Sequence, residues 1–327
     1  MTANEFNENL KICKLSPREA KNKPCPFKTR KANSKFEGSA GQFRILFRIM
    51  VSALSDIIEN SGVGRMIVSL QEVAEIITAP KLSVYEIEST MNDLRRYYLE
   101  LRIEAIETLG LPRLRPKHHR LSHSSEFYIK YGPLIGNWSL RMESKHTYFK
   151  GIIRASKNFK NPPKTCATRH EMAQLCFRFH GLFPKRSIEI PPGAVAIDLH
   201  EDIEENSILS SAKEHFGEES LVVKEVKVFG TSYIPGTLIV LEKKDFGELD
   251  VGLVHRIIIS NVKPIFYCSI YKAYQNKYNQ YVATLKLHVG KWVHLKELQD
   301  YYPLTKIRTD NSSLFKFNLH HFVSESN

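Results

Sequence analysis

The sequence has few of the features that mark several common classes of protein. Its 327 residues include only five cysteines, and no two of them form a CxxC pair or a zinc-ribbon spacing. This pattern excludes a disulfide-rich secreted scaffold, and we interpret the thiols as reduced ones of a nuclear or cytosolic protein. No apolar run approaches the ~20 residues of a membrane span. The first residues also lack the apolar core of a secretory signal.

Signals of catalysis are also scarce. No glycine-rich nucleotide loop, serine nucleophile turn or Cys/His nucleophile pair can be argued from the sequence. Residues 1–142 contain just two aspartates, Asp56 and Asp93, and both fall in segments with a helical pattern. Residues 1–142 therefore contain no pair of aspartates on predicted β-strands.

Basic residues, by contrast, are concentrated in one window. Residues 111–190 hold 16 Lys and Arg against 4 Asp and Glu, an excess equal to the chain's net charge of +12. The excess is +5 over 1–40, −3 over 41–110 and −2 over 191–327. Such a field attracts polyanions, nucleic acid foremost. A merely solvated basic surface is the alternative.

The first half of the chain has a helical pattern. Residues 1–37 are polar and basic, and we expect a flexible tail whose cluster could serve nuclear import. Apolar residues then recur at three- and four-residue spacing, which predicts a helical domain over 38–183. Within it, Ser83 and Glu86 have the spacing of a capping box for a helix that ends at Gly110.

The pattern changes to short strands after residue 184. Residues 184–219 include an acidic stretch that we interpret as a linker or exposed loop, and residues 220–327 as a small, SH3-like β-barrel domain. The predicted fold class is α+β. The predicted strands lie within Lys224–Phe229, Gly236–Leu241, Val251–Ile259, Ile265–Tyr271 and Tyr281–Leu287.

Three histidines open the basic window and are candidate metal ligands. His119 and His123 are four residues apart and could share a helical face, with His118 beside them. No cysteine or aspartate lies nearby to complete a ligand set. Structural histidines, or histidines that face phosphate, are the alternatives.

Glu143 and Lys150 are the candidate catalytic pair. Seven residues are two helical turns, so both side chains would project from one face of a helix over about 134–158. A carboxylate that holds Mg²⁺ and a cation that steadies phosphate suit attack on a nucleic-acid backbone. An exposed, solvated Glu and Lys are the alternative reading.

The same window supplies the candidate phosphate contacts. Cations that could bind a nucleic-acid backbone without reading its sequence are Lys117, Arg141, Lys145, Lys150, Arg154, Lys157, Lys160, Lys164 and Arg169.

These residues resemble a family. The chain is similar to the C-terminal part of CACTA-type (En/Spm-like) DNA transposases, and closer still to transposon-derived animal proteins. The matching segments are Lys117–His119, Tyr131–Leu134, Trp138, Arg141–His146, Phe149-Lys150, Lys157–Asn161 and Ala167–His170. The resemblance implies an RNase H-like core with a DDE-type, two-metal site, with Glu143 as the last acidic ligand and Lys150 as the phosphate-facing residue.

The sequence departs from this pattern in its acidic residues. A two-metal site needs two further carboxylates, and neither Asp56 nor Asp93 follows a strand pattern. We therefore expect a catalytically incomplete, nuclear DNA-binding protein with a partial RNase H-like remnant, and Mg²⁺ only where other residues complete the site. The alternative is a fragment of an active transposase or nuclease that needs upstream aspartates.

A third hypothesis is a protein-interaction module. Aromatic side chains in the C-terminal domain could cage a modified lysine or hold a peptide. They are Phe229, Tyr233, Phe246, Phe266, Tyr267, Tyr271, Tyr274, Tyr278 and Tyr281.

Overall fold

The structure is a computed structural model of the whole chain, and it divides into two compact units. One unit joins Met1–Leu134 to Ile188–Asn327, and we call it the sheet unit; the other, Ile135–Ser187, we call the basic hairpin. The residues described are 3–13, 15, 17–20, 22–27, 38–54, 62–110, 112–137, 139–181, 188–190, 195–196, 203–217, 220–244, 247–309 and 315–324.

Helices dominate the chain up to residue 181. The α-helices of the described residues are α1 (Ala3–Ile12), α2 (Pro17–Ala20), α3 (Ala40–Ala53), α4 (Gly62–Ile77), α5 (Val84–Glu86), α6 (Asn92–Leu109), α7 (Pro116–Arg120), α8 (Ser124–Tyr131), α9 (Ser139–Ser156), α10 (Pro162–Phe179) and α11 (Ile203–Phe216). A π-helical turn, Ile87–Met91, joins α5 to α6, and 3₁₀ turns cover Leu121–His123, Leu134–Asn137 and Leu295–Glu297.

The sequence predicts a flexible tail at 1–37, but the structure places α1 and α2 there. Phe6 is buried against Leu46 of α3. The Asn7 amide both donates to the carbonyl of Phe27, at 2.9 Å, and accepts from its N–H, at 2.7 Å. A few separated contacts anchor the described part, and they leave little periodic signal in a polar sequence.

The predicted capping box is confirmed. The Ser83 hydroxyl accepts from the Glu86 N–H at 3.2 Å, and the Glu86 carboxylate accepts from the Ser83 N–H at 2.7 Å. These bonds satisfy two backbone donors that a helix start leaves unpaired. The helix that follows ends at Gly110, whose φ of 62° is in the left-handed region that glycine adopts readily.

Antiparallel strands form the rest of the sheet unit. They are β1 (Ile188–Glu189), β2 (Val195–Ala196), β3 (Leu221–Val223), β4 (Val226–Val228), β5 (Thr231–Tyr233), β6 (Leu238–Lys243), β7 (Glu248–Ser260), β8 (Lys263–Gln275), β9 (Tyr281–His294), β10 (Asp300–Leu304), β11 (Arg308–Thr309) and β12 (Phe315–Phe317). The main sheet runs β10-β6-β7-β8-β9-β12-β11, with β3 also paired to β7 and β2 to β3. All five predicted strands are confirmed.

The main sheet curls into a half-barrel. Its long strands β7, β8 and β9 have 13, 13 and 14 residues, about twice the ordinary strand length. Register shifts interrupt the β8–β9 pairing near Cys268 and Ile270. Such bulges bend a strand and increase its twist, which favours curling. The fold is therefore α+β, as predicted, with a larger sheet than the small barrel expected from the sequence.

Two parts of the sheet unit meet through a polar core. The Arg48 guanidinium on α3 pairs with the Glu19 carboxylate and with the His320 ring. Burial, and then the Arg48 charge, hold the pKa of His320 well below its usual value. The N-terminal helices and the C-terminal segment of the chain therefore share one partly buried polar network.

A second buried carboxylate joins α4 to the β8–β9 turn. Glu75 accepts from the Gln71 amide at 3.2 Å and from the Asn279 amide at 3.0 Å. Burial raises the pKa of Glu75 to about 7, although both hydrogen bonds act in the opposite direction. The carboxyl group therefore changes charge near neutral pH inside the unit.

The segment predicted to be an acidic linker contains a helix. α11 covers Ile203–Phe216, and its Ala212 is buried beside Ile258 of β7. The ring of Phe216 lies edge-on to Trp292 at 5.3 Å. The sequence pattern missed this helix because its apolar face is short and acidic residues dominate the start of the segment. The predicted domain boundaries near 37, 183 and 219 fall on residues outside the described part and stay predictions.

Candidate nucleic-acid interface

The basic hairpin carries most of the chain's charge excess. Its 53 residues include 11 Lys and Arg and only two acidic residues, Glu143 and Glu171. The resulting net charge is +9, out of +12 for the whole chain. The predicted basic window thus coincides largely with one compact structural unit.

The cations of the hairpin project into solvent. Seven of the nine residues predicted to contact phosphate have exposed side chains here: Lys145, Lys150, Arg154, Lys157, Lys160, Lys164 and Arg169. No carboxylate of the described residues pairs with any of them. Their charges are consequently not neutralised locally, and they are open to a polyanion.

A few rings and one thiol hold α9 and α10 together. The His170 ring on α10 lies 5.8 Å from that of Tyr148 and 5.9 Å from that of Phe149, edge-on to both. The Cys166 thiol donates to the Phe149 carbonyl at 3.9 Å. Among the hairpin side chains described (135–137 and 145–181), none is buried. The hairpin has no dry core of its own in this part.

The turn between the helices gathers three lysines. α9 ends at Ser156, Lys157 has a φ of 51°, and the Asn161 side chain caps α10 by accepting from the Lys164 N–H at 3.2 Å. The helix expected over about 134–158 thus ends close to the position that the sequence predicts. Lys157, Lys160 and Lys164 all lie within this turn or the first turn of α10.

The candidate catalytic pair lies on a single helix. Residues 143 and 150 both belong to α9, and the Lys150 side chain is exposed. The side chains of Glu143, Arg141 and Lys117 lie outside the described part of the structure. The assignments of Glu143 as metal ligand and Lys150 as phosphate-facing residue stay predictions.

Of the two aspartates considered in the sequence, one lies in the described part of the structure. Asp93 is in α6, where its carboxylate pairs with Arg96 at 3.4 Å, so it lies on a helix, as its sequence pattern indicates. Asp56 lies outside the described residues. Over the described ranges, no three His, Cys, Asp or Glu side chains converge as a metal-binding group would.

The three candidate histidines bind their neighbours. His118 accepts from the Arg115 N–H at 2.9 Å and so caps α7. His123 Nε2 lies 3.3 Å from His119 Nε2, and its Nδ1 lies 3.2 Å from the Glu126 carboxylate. The alternative of hydrogen-bonded structural histidines therefore describes all three residues.

The structure also shows a feature that sequence reasoning missed, a row of four rings. His119, His123, Phe127 and Tyr131 follow one another at four-residue steps, and we call them the ring ladder. Successive ring centroids are 5.0, 6.1 and 6.1 Å apart. Phe127 is 44% exposed and Tyr131 57%. The four-residue spacing is visible in the sequence, but it was interpreted there only as a possible metal-ligand spacing of the histidines.

The opposite face of the same segment is fixed to the sheet unit. Ser124, Ser125 and Tyr128 are buried, and the Tyr128 hydroxyl donates to the Ala79 carbonyl at 3.3 Å. The Arg95 guanidinium on α6 donates to the Ser122 carbonyl at 2.7 Å. These contacts hold the ladder side of α8 toward solvent.

The aromatic residues of the C-terminal sheet are divided between core and surface. Tyr233, Phe266 and Tyr281 are buried and cannot line an open cage, whereas Phe229 and Tyr274 are exposed. Phe246 lies outside the described residues. The peptide-binding hypothesis stays a prediction.

Comparison with known proteins returned no relative. No family model, no curated protein and no solved structure matches the chain. The resemblance to CACTA-type transposases therefore stays a prediction. In the described part of the chain, no helix is long and apolar enough to cross a bilayer.

Proposed function

We propose that this chain is a DNA-binding protein that grips the phosphate backbone with its basic hairpin. The observation that carries the proposal is the net charge of +9 on 53 residues, of which the described Lys and Arg side chains are exposed and paired with no described carboxylate. Each cation that neutralises a phosphate releases a condensed counterion, and this release drives sequence-independent binding.

The shape of the hairpin supports the same function. Its two 18-residue helices are each about 27 Å long at 1.5 Å per residue, so the cations extend over several successive phosphates. Backbone contact without base readout is expected, since lysine ammonium groups act as point charges.

The origin and location of the protein belong to the same proposal. The segments that resemble CACTA-type transposases lie mainly in the hairpin, which would be a remnant of an RNase H-like core, and the half-barrel would descend from an SH3-like barrel. A protein of this kind would act in the nucleus. Because a single candidate acidic ligand, Glu143, is available, we expect DNA binding without metal-dependent cleavage.

A hairpin variant with three fewer cations tests the proposal. Changing Lys150, Arg154 and Lys157 to Gln removes three exposed cations from α9 and the adjoining turn. We expect affinity for a random-sequence DNA duplex to fall about 10- to 100-fold at moderate salt. Fluorescence anisotropy with the full chain measures the effect.

The matched control removes the same charge from the sheet unit. Lys224, Lys227 and Lys263 are exposed there, and their change to Gln is expected to alter affinity by less than about threefold. Equal losses for the two triple variants would indicate a non-specific effect of net charge and would contradict the proposal.

A further inference from the structure

The ring ladder has the properties of a stacking surface. Its two carbon rings, Phe127 and Tyr131, are exposed side by side with a centroid separation of 6.1 Å and a tilt of 42°. Large apolar rings are seldom left exposed in a row on a monomeric surface, and such patches mark binding sites.

The segment that carries the ladder is rich in exposed cations. Arg113, Arg115, Arg120 and Lys130 are exposed in the same 20-residue segment, residues 112–131, and the Lys130 ammonium lies 5.3 Å from the centroid of the Tyr131 ring. The one carboxylate in the segment, Glu126, lies against His123. Rings interleaved with uncompensated cations suit a ligand that is both anionic and aromatic.

We infer that the ring ladder binds unpaired DNA bases by stacking, while the neighbouring Arg and Lys side chains contact the phosphates. The inference rests on the proposed function and names the form of DNA that the protein prefers. In a duplex the faces of the bases are covered by their neighbours, so only a single strand can present them to Phe127 and Tyr131. Stacking is tolerant of sequence, because every base has a π face.

The ladder is built to hold these rings in place. Tyr128, one residue beyond Phe127, is buried, and Arg95 holds the turn that precedes α8. The rings therefore stand on a helix whose other face is fixed, and binding a base requires little ordering of the backbone. A ladder on a preorganised helix loses less entropy on binding than the same rings on a loose chain would.

The test compares single-stranded with duplex DNA on the full chain. The probes are a labelled oligothymidylate of about 16 nucleotides and a duplex of about 16 base pairs. Changing Phe127 and Tyr131 together to Leu keeps apolar, helix-favouring side chains and removes the two aromatic faces together with the Tyr131 hydroxyl. We expect oligothymidylate binding to weaken about tenfold or more, and duplex binding to change less than about twofold.

The control is a pair of exposed helical tyrosines outside the ring ladder. Tyr85 and Tyr97 are 76% and 46% exposed in the same unit, and their change to Leu should leave both affinities unaltered. Circular dichroism spectra and thermal midpoints that match wild type show that each variant is folded.

Three outcomes separate the two proposals. Oligothymidylate binding by the Phe127/Tyr131 variant within about twofold of wild type overturns the ladder inference alone. Duplex binding that is insensitive to the hairpin triple change overturns the proposed function, whatever the ladder does. A wild-type chain that binds neither probe overturns both.

Discussion

The half-barrel buries Val254, Ile257 and Phe266 completely, whereas no hairpin side chain at 135–137 or 145–181 is buried. The hairpin holds +9 of the net charge, and the other 274 residues share the remaining +3. Burial of apolar area is the main favourable term in folding, so the sheet unit supplies the chain's stability. The hairpin has a composition suited to binding instead.

This contrast explains how one sequence can combine stability with high local charge. The eight exposed cations of the described hairpin repel one another and oppose a compact state. Because the hairpin contributes little buried apolar area, this repulsion has little effect on the stability of the sheet unit. A bound polyanion would remove that repulsion, which links folding of the hairpin to its ligand.

The largest expected difference comes from removing one packed aromatic side chain from each unit. Phe266 is fully buried beside Tyr233, and its change to Ala should lower the free energy of unfolding by about 3–5 kcal/mol. Phe149 of the hairpin is only half-buried, and its change to Ala should cost less than about 1 kcal/mol in the main urea transition. Equal losses would contradict the division of roles.

The second test uses the buried carboxyl group of the sheet unit. Burial raises the pKa of Glu75 to about 7 in the folded chain, from 4.5 for an unperturbed carboxyl. Between these values the folded state binds more protons than the unfolded state, so stability falls as pH rises from 4.5 to 7. The full effect would be about 1–3 kcal/mol.

Urea midpoints measured across this pH range check that prediction. Glu75→Gln should flatten the decline, since glutamine carries no titrating proton. Glu100→Gln is the matched control, because Glu100 is an exposed residue of α6. A decline of the same size in Glu75→Gln as in wild type would show that another group causes it.

The smallest test compares two helix caps. Ser83 caps the helical run that starts at α5, and its change to Ala should lower stability by about 1 kcal/mol. Asn161 caps α10 of the hairpin, and its change to Ala should reduce helical content without moving the main urea midpoint. A midpoint shift for Asn161→Ala as large as that for Ser83→Ala would indicate that the hairpin unfolds together with the sheet unit.

Local signals allowed much of the fold to be predicted. The Ser83–Glu86 box and the five strands depend on residues close in sequence, and each is confirmed. The helices Ala3–Ile12, Pro17–Ala20 and Ile203–Phe216 were missed because few apolar residues, such as Phe6 and Ala212, fix them through distant contacts. Curling of the sheet depends on bulges between long strands, which periodicity does not show.

The candidate site also has features that the sequence shows and features that only the structure shows. Exposure of the hairpin cations follows from composition, and the four-residue spacing of the ring ladder is visible in the sequence. What the sequence could not show is that Tyr128 and Arg95 fix the other face of that segment and so leave Phe127 and Tyr131 in solvent. Contacts between elements that are distant in sequence decide which regularly spaced side chains are buried and which are exposed.

The salt dependence of duplex binding tests the central claim most directly. The account predicts that the logarithm of the association constant falls linearly with the logarithm of salt concentration. The steepness of that line should drop by about 2.7 when Lys150, Arg154 and Lys157 become Gln, and stay unchanged in the Lys224/Lys227/Lys263 control. Identical slopes for all three proteins, or affinity that stays flat from low to moderate salt, would contradict it.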